Sequence, residues 1–422
     1  MIKKIKEALN IKDIRKKIIF TLFMIIVFRI GTTIPVPGID TSIIKNMVEE
    51  NSLLGLYNMF SGGAFSNFTI FALGISPYIT ASIIIQLLTA GFESLKELQK
   101  SGEEGQKKIS KYTRATTLVL ATVQAVGITL GIVRSALKID SPFFIFTVII
   151  TLVASSMMVM WMGDRITEKG LGNGSSILIF VGIISRLPVD IIAISEKLTL
   201  GAIHWPAIAA LIVVVLLTIT GVTFITESTR KIPVQYAKRV VGRKMYGGDS
   251  SHIPMKVNQS GVMPIIFASS ILALPQTIAL LGGPKAQAAV NAFFNLNTNS
   301  GFWTYRGIEV LLIILFSYFY NTISFNTEDI SKNMKNSGGF IPGIRPGAPT
   351  ESYLNGILSK LTIVGAAFLG IIAMVPALVT HYMHIPMNLG GTSLLIIVGV
   401  ALELKRQLES NLVMKNYQGF LK

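Results

Sequence analysis

The chain has 422 residues, 51% hydrophobic and only 14% charged, with a net charge of +16 and a mean hydropathy of +0.59. That is a membrane composition, so length does not count soluble domains. The absence of cysteine excludes disulfides, thiolate catalysis and cysteine-based metal sites.

Ten apolar stretches follow one another: residues 18–34, 72–91, 112–133, 143–162, 173–187, 206–225, 261–281, 308–325, 357–375 and 389–404. About 20 apolar residues cross a bilayer core as a helix. Lys3, Lys4, Lys6, Lys12, Arg15, Lys16 and Lys17 precede the first stretch. This basic start runs into residues 18–34 without an Ala-x-Ala-like site, so no cleavable signal is predicted. Arg29 lies one turn from the outer end of that stretch, where snorkelling to the interface is expected.

The next segment, residues 51–65, is too short to span. Leu53, Leu56, Tyr57 and Phe60 recur at helical spacing, and Gly62 and Gly63 end the run. A short apolar helix on a glycine hinge can fold back into a cavity or lie on the outer leaflet. The residues leave both readings open.

Between the second and third stretches sit Lys96, Lys100, Lys107, Lys108, Lys111 and Arg114. Between the sixth and seventh sit Arg230, Lys231, Lys238, Arg239, Arg243, Lys244 and Lys256. The odd gaps hold isolated cations such as Lys45, Arg134, Lys138, Arg186 and Lys197. Positive charge stays on the cytoplasmic side, which predicts ten spans with both ends in the cytoplasm. Topology bias accounts for most of the +16; a docking face for an acidic or RNA-rich partner is the second reading.

Two cytoplasmic loops are too long to be simple connectors. Residues 232–248 interleave β-branched and aromatic residues with cations, which predicts a basic hairpin. In residues 326–347, Thr327 is expected to cap a short helix with Glu328 and Asp329 in its first turn. Pro342, Gly343, Pro346 and Gly347 then hold Arg345 on a stiff loop.

Five spans in each half would give the halves opposite orientation. The fifth and tenth stretches both look short, and each begins in a glycine run, at Gly170-Leu-Gly-Asn-Gly174 and Gly390-Gly391. Interrupted segments at matching places suggest an inverted repeat with a pathway at its interface.

Ionisable groups are nearly absent from the stretches, with Glu309 placed at a helix end and no Asp, Glu or His mid-span. That argues against an ion-coupled pump. No Walker-type phosphate loop occurs, residues 170–175 do not match G-x-G-x-x-G, and no nucleophile sits with a base. His381 and His384, three apart, read as unpaired loop histidines rather than metal ligands. No enzyme, cofactor or metal is expected. A channel, a secondary transporter or lipid flippase, and a structural hub remain, although a transporter needs a polar midplane site.

Gly74-Ile-Ser-Pro-Tyr-Ile-Thr-Ala-Ser-Ile-Ile-Ile-Gln-Leu-Leu88 and Trp161-Met-Gly-Asp-Arg-Ile-Thr-Glu-Lys-Gly-Leu-Gly-Asn-Gly174 resemble signatures of the SecY family, the channel subunits of bacterial Sec protein translocases. The similarity continues through residues 232–244, 252–258, 337–347 and 390–395. The resemblance implies an all-α membrane protein: ten transmembrane helices in two inverted five-helix halves, residues 1–187 and 188–422, forming an hourglass channel. Its cytoplasmic loops are residues 227–258 and 326–352.

By the same resemblance, residues 53–65 form a plug with Leu53, Leu56, Tyr57, Phe60, Gly62 and Gly63. Ile75, Ile79, Ile179, Ile266 and Ile396 form the pore ring, from whose apolar pattern Ser175 departs. A lateral gate opens between the second and seventh spans, with Gln86 and Asn173 near its seam and an interhelical hydrogen bond expected there. The long loops, with Arg239, Arg243, Lys244 and Arg345, dock the SecA ATPase or the ribosome. SecE and SecG subunits, signal sequences, unfolded polypeptides and membrane lipid are the remaining partners. The implied location is the bacterial plasma membrane.

Overall fold

A computed structural model of the chain describes residues 10–50, 52–138, 141–236, 239–241, 244–246, 250–296, 298–383, 385 and 391–420. Each apolar stretch contains a helix. In chain order the helices are α1 Lys12–Gly31, α2 Thr41–Glu50, α3 Ser52–Phe60, α4 Ser76–Gly91, α5 Glu93–Lys100, α6 Glu103–Gly131, α7 Pro142–Lys169, α8 Gly174–Thr199, α9 Trp205–Glu227, α10 Met263–Leu281, α11 Gly283–Phe294, α12 Asn299–Ser324, α13 Thr327–Asn336, α14 Ala348–Tyr382 and α15 Gly391–Phe420.

Six of these are long and apolar enough to cross a membrane: α6, α7, α8, α9, α12 with the α13 that continues it, and α14. The pair α4–α5, bent by 102°, makes a seventh. Prolines at the first helical positions start α4, α7, α9, α10, α11 and α14, where a fixed φ suits the helix and the missing N–H costs nothing.

Four expectations change at helix ends. The fifth helix does not stop at residue 187: α8 runs through Pro188 to Thr199, so a division between residues 187 and 188 cuts a continuous helix. The tenth is not short either, because α15 continues to Phe420. The matched shortness that suggested a repeat is therefore absent. Thr327 is not the cap of α13. Asn326, one residue earlier, accepts from the amides of Glu328 at 3.2 Å and Asp329 at 3.3 Å, while the Thr327 hydroxyl donates to Asn355 Oδ1 at 2.8 Å. Glu309 is not at a helix end, because α12 begins at Asn299. It is 2% exposed and pairs with Arg306 at 2.5 Å, the pairing that a buried carboxylate requires.

The protein is mostly helical but not purely so. β1 (Thr229–Tyr236) pairs antiparallel with β4 (Ser250–Lys256), setting Ile232 opposite Ile253 and Thr229 opposite Lys256. Between them β2 (Arg239–Val241) pairs with β3 (Lys244–Tyr246). β5 (Gly339–Phe340) adds to the other edge of β1 at Gln235 and Tyr236. The hairpin was legible in the sequence; the strand that ties the two long loops into one sheet was not. Beneath the sheet, Ile232, Val234, Met255, Met334, Ile341 and Leu354 form their own small core.

Candidate functional site

The five candidate ring isoleucines lie together. Ile75 precedes the first turn of α4, Ile79 sits one turn on, Ile179 lies on α8, Ile266 on α10 and Ile396 on α15. All five are at most 5% exposed and belong to one apolar cluster with Met59 and Phe60 of α3. The cluster thus draws on helices from both halves of the chain, and the short helix α3 contributes to it.

Ser175, one turn before Ile179, stands apart from that cluster. Its hydroxyl donates to Asn173 Oδ1 at 2.5 Å. It faces a 340 Å³ cavity lined by Tyr78, Arg114, Asp164, Thr167 and Asn173. Arg114 Nη2 and Asp164 Oδ2 pair there at 2.9 Å.

Helix α3 is interior, not laid on a surface: Leu54, Tyr57, Met59 and Phe60 are each at most 4% exposed. Leu53 and Leu56 fall within α3, but their side chains lie outside the described residues. The Tyr57 hydroxyl bonds to that of Thr277 and also donates to the Ala273 carbonyl at 3.4 Å, tying α3 to α10. The Ser393 hydroxyl reaches Met59 Sδ at 2.8 Å, tying α3 to the start of α15.

The helix ends as its glycines require. Gly62 and Gly63 take φ of +67° and +88°, the left-handed region glycine enters at least cost. Their amides donate back to the carbonyls of Met59 and Asn58, at 3.1 and 2.8 Å. Arg29 does not snorkel outward. Its Nη1 donates to Ser185 Oγ at 2.8 Å and to the Gly62 carbonyl at 3.4 Å, because those acceptors are within reach.

The expected interhelical hydrogen bond at the gate seam is made by neither Gln86 nor Asn173. Gln86 Nε2 donates to Ser82 Oγ at 3.0 Å, within its own helix. Asn173 caps α8, accepting from the amide of Ser176 at 3.2 Å and from Ser175. Both side chains bond locally, as polar groups at i,i+4 spacing and at helix starts often do. Helices α4 and α10 nonetheless pack directly against each other.

On the loops, Arg345 is exposed between Gly343 and Gly347, whose φ values are +81° and +100°. Its carbonyl accepts from Thr350 Oγ1 and the Gly347 carbonyl from Ser331 Oγ, both at 2.8 Å. A tight turn anchored to α13 and α14 therefore presents a free-standing guanidinium side chain to solvent. Arg239 in β2 stands opposite Tyr246, and Lys244 in β3 opposite Val241. Arg243 lies outside the described residues.

At the base of the hairpin, burial and the neighbouring Arg406 hold Lys256 below the usual lysine range, partly offset by Glu403. Arg406 donates to the Thr226 carbonyl and Lys405 pairs with Glu227 at 2.6 Å. The C-terminal half of α15 is thereby fastened to the end of α9, where cations meet unpaired helix carbonyls.

His381 stacks on Phe302 with ring centroids 4.1 Å apart, and His384 lies outside the described residues. Among the described residues no group of His, Asp and Glu could hold a metal.

A family model described as SecY matches residues 69–405. A protein from Streptomyces scabiei named "Protein translocase subunit SecY" is 44% identical, with 99% of each chain covered. Another of that name, from Thermotoga maritima, is 43% identical over 99% of this chain and 97% of its own. A solved structure described as "The structure of a protein conducting channel" shares the fold at TM-score 0.69 and 18% identity, with 94% of this chain and 92% of that one covered. A second, "Sec61 in the Canine ribosome-channel complex from the endoplasmic reticulum", matches at TM-score 0.65 and 18% identity, with the same coverage.

Proposed function

The chain belongs to the SecY family, and from that premise we propose that it is the central protein-conducting channel of a Sec translocase. It passes unfolded secretory proteins across the membrane and releases membrane segments sideways into it. One observation carries the reading: five isoleucines from four regions of the chain converge in one buried cluster, with the interior helix α3 packed against them.

A ring of branched apolar side chains disfavours water and bare ions at its narrowest point, so it gates by dewetting. It offers no fixed hydrogen bonds, so it can close around a chain of any sequence. Helix α3 is the plug, seated on the ring at rest and hinged at Gly62 and Gly63. The lateral gate lies between α4 and α10. Since neither Gln86 nor Asn173 bridges them, apolar packing closes the seam, and an apolar signal helix competes with packing of its own kind.

In this reading all ten helices on the apolar stretches span, in two inverted halves, with both termini in the cytoplasm. The joint between the halves lies in the turn after Thr199, at residues 200–204. The membrane is the bacterial plasma membrane. SecE and SecG accompany the channel, and SecA or the ribosome docks on the sheet formed by the two long loops and on Arg345. The dense positive charge of that face suits polyanionic ribosomal RNA, with salt-sensitive docking as the consequence. The protein acts as a channel, and its partner supplies the energy.

The natural lack of cysteine makes the test direct. A secretory chain stalled midway and carrying one cysteine is challenged to crosslink to Ile179→Cys and to a lipid-facing control. Adducts from Ile179→Cys alone support passage through the ring. Continued translocation with no adduct there places the path elsewhere in the complex.

A further inference from the structure

Arg29 is the one arginine of α1 that reaches the plug, and three elements meet at its side chain. Its guanidinium donates to Ser185 Oγ on α8 and to the Gly62 carbonyl at the end of α3. Ser185 in turn donates to the Gly182 carbonyl at 2.7 Å, leaving its oxygen free to accept from Arg29. Gly62 and Gly182 touch backbone to backbone: a Cβ on Gly182 would stand 3.3 Å from the Gly62 nitrogen.

The placement is also favourable for charge. The last carbonyls of α3 form the negative end of a helix, and a cation there is stabilising. Phe28, the residue before Arg29, stacks on Phe71, and both rings are 2% exposed. When the plug leaves, Arg29 loses the Gly62 carbonyl. The contact therefore exists in one state of the channel and not in the other, which a residue needs in order to bias the equilibrium.

Ile179, Gly182 and Ser185 follow at i, i+3 and i+6 on α8, along one face of the helix. The ring residue and the clasp are thus on the same rigid segment. A polypeptide that pushes α8 outward at Ile179 draws Ser185 and Gly182 away from Arg29 and Gly62 together.

We propose that Arg29 is the positioning residue that holds the plug closed, acting through the Gly62 carbonyl and Ser185 and releasing when α8 moves with the ring. This rests on the reading of α3 as a plug, and the test separates the two. The assembled translocase, with its partner subunits, is reconstituted in liposomes and resting iodide efflux is measured for Arg29→Leu, Ser185→Ala, a deletion of residues 52–65, and Arg29→Leu within that deletion.

Arg29→Leu is expected to raise efflux about tenfold, the equivalent of one charge-assisted hydrogen bond, and Ser185→Ala about two- to threefold. Within the deletion, Arg29→Leu should add nothing. Bridging M59C to S393C with a short bis-maleimide should return the efflux of Arg29→Leu to the resting value, since it fixes the plug by another contact.

If the deletion raises efflux while Arg29→Leu and Ser185→Ala leave it unchanged, the clasp is wrong and the plug stands. If Arg29→Leu raises efflux further within the deletion, Arg29 acts on the ring rather than through the plug, and the proposal falls. If the deletion itself changes nothing, the plug reading fails first. Should Arg29→Leu not assemble, Ser185→Ala, which removes a single oxygen, decides the matter alone.

Discussion

The backbone of Gly62 lies directly against that of Gly182: a Cβ built on Gly62 would stand 2.8 Å from the Gly182 Cα. Gly62 also holds a φ of +67°, which costs an ordinary residue about 1–2 kcal/mol. Gly62→Ala is therefore expected to unseat α3, the proposed plug, through both clash and strain. Gly182→Ala, whose Cβ would meet Gly62 at 3.3 Å or more, should do so more weakly. Secretion of a reporter with a weakened signal sequence measures this, with Gly62→Ala the more permissive; equal, unaltered secretion in both would show that the contact does not hold the closed state.

Ser175, which departs from the apolar pattern of the proposed ring, faces a polar cavity and donates a hydrogen bond to Asn173. Ser175→Ile gives up that bond, worth about 1 kcal/mol, and sets an apolar side chain against a polar cavity, where little burial offsets the loss. Folding should weaken slightly. The larger effect is on wetting: ion efflux through a plug-deleted channel should fall severalfold, since the cytoplasmic lip of the ring becomes apolar. Unchanged efflux would mean that residue 175 lies outside the constriction even when the plug is gone.

Much of this was legible in the sequence and some was not, for definite reasons. Hydrophobic runs locate helices well, so each of the ten stretches became one. Runs do not locate ends: the fifth apolar run stops at residue 187, yet α8 continues through Pro188 to Thr199, the cost of one missing hydrogen bond being tolerable there. The ring isoleucines came from the family resemblance, since isoleucine in an apolar helix has no local mark that separates lining from packing. Polar side chains were hardest. Arg29 was expected to snorkel and instead bonds across the fold to Ser185, while Gln86 and Asn173, expected at the gate seam, bond locally; in each case the acceptors within reach decided the partner. The β1–β5 pairing joins residues about a hundred positions apart through two strand residues on one side, too short a segment to show any periodicity.

Asn173 caps α8, the helix that carries Ile179, so its effect on gating should run through that cap. Asn173→Leu removes the acceptor for the Ser176 amide, a loss of about 1 kcal/mol, and should shift the gate, seen as altered secretion of weak signal sequences. Asn173→Asp preserves the acceptor and should behave like the parent. If Asp is as disruptive as Leu, the residue works through some contact other than the cap.

Arg345 is exposed on a turn whose shape does not depend on its side chain. Gly343 and Gly347 supply the left-handed positions, and Ser331 and Thr350 hold the backbone carbonyls. Arg345→Glu should therefore leave stability within about 0.5 kcal/mol, as exposed substitutions usually do, and membrane insertion intact. What changes is the charge offered to a docked motor: a guanidinium that can grip carboxylate or phosphate in two places becomes a repelling anion. Motor-driven translocation of a secretory precursor into vesicles should be abolished or nearly so. Arg345→Lys, which keeps the charge but not the planar fork, should fall between the two. Thermal unfolding of the three proteins in detergent separates docking from folding: coincident transitions with graded translocation support a contact role, whereas a lowered transition in Arg345→Glu that tracks its loss of activity would assign the residue to the turn instead.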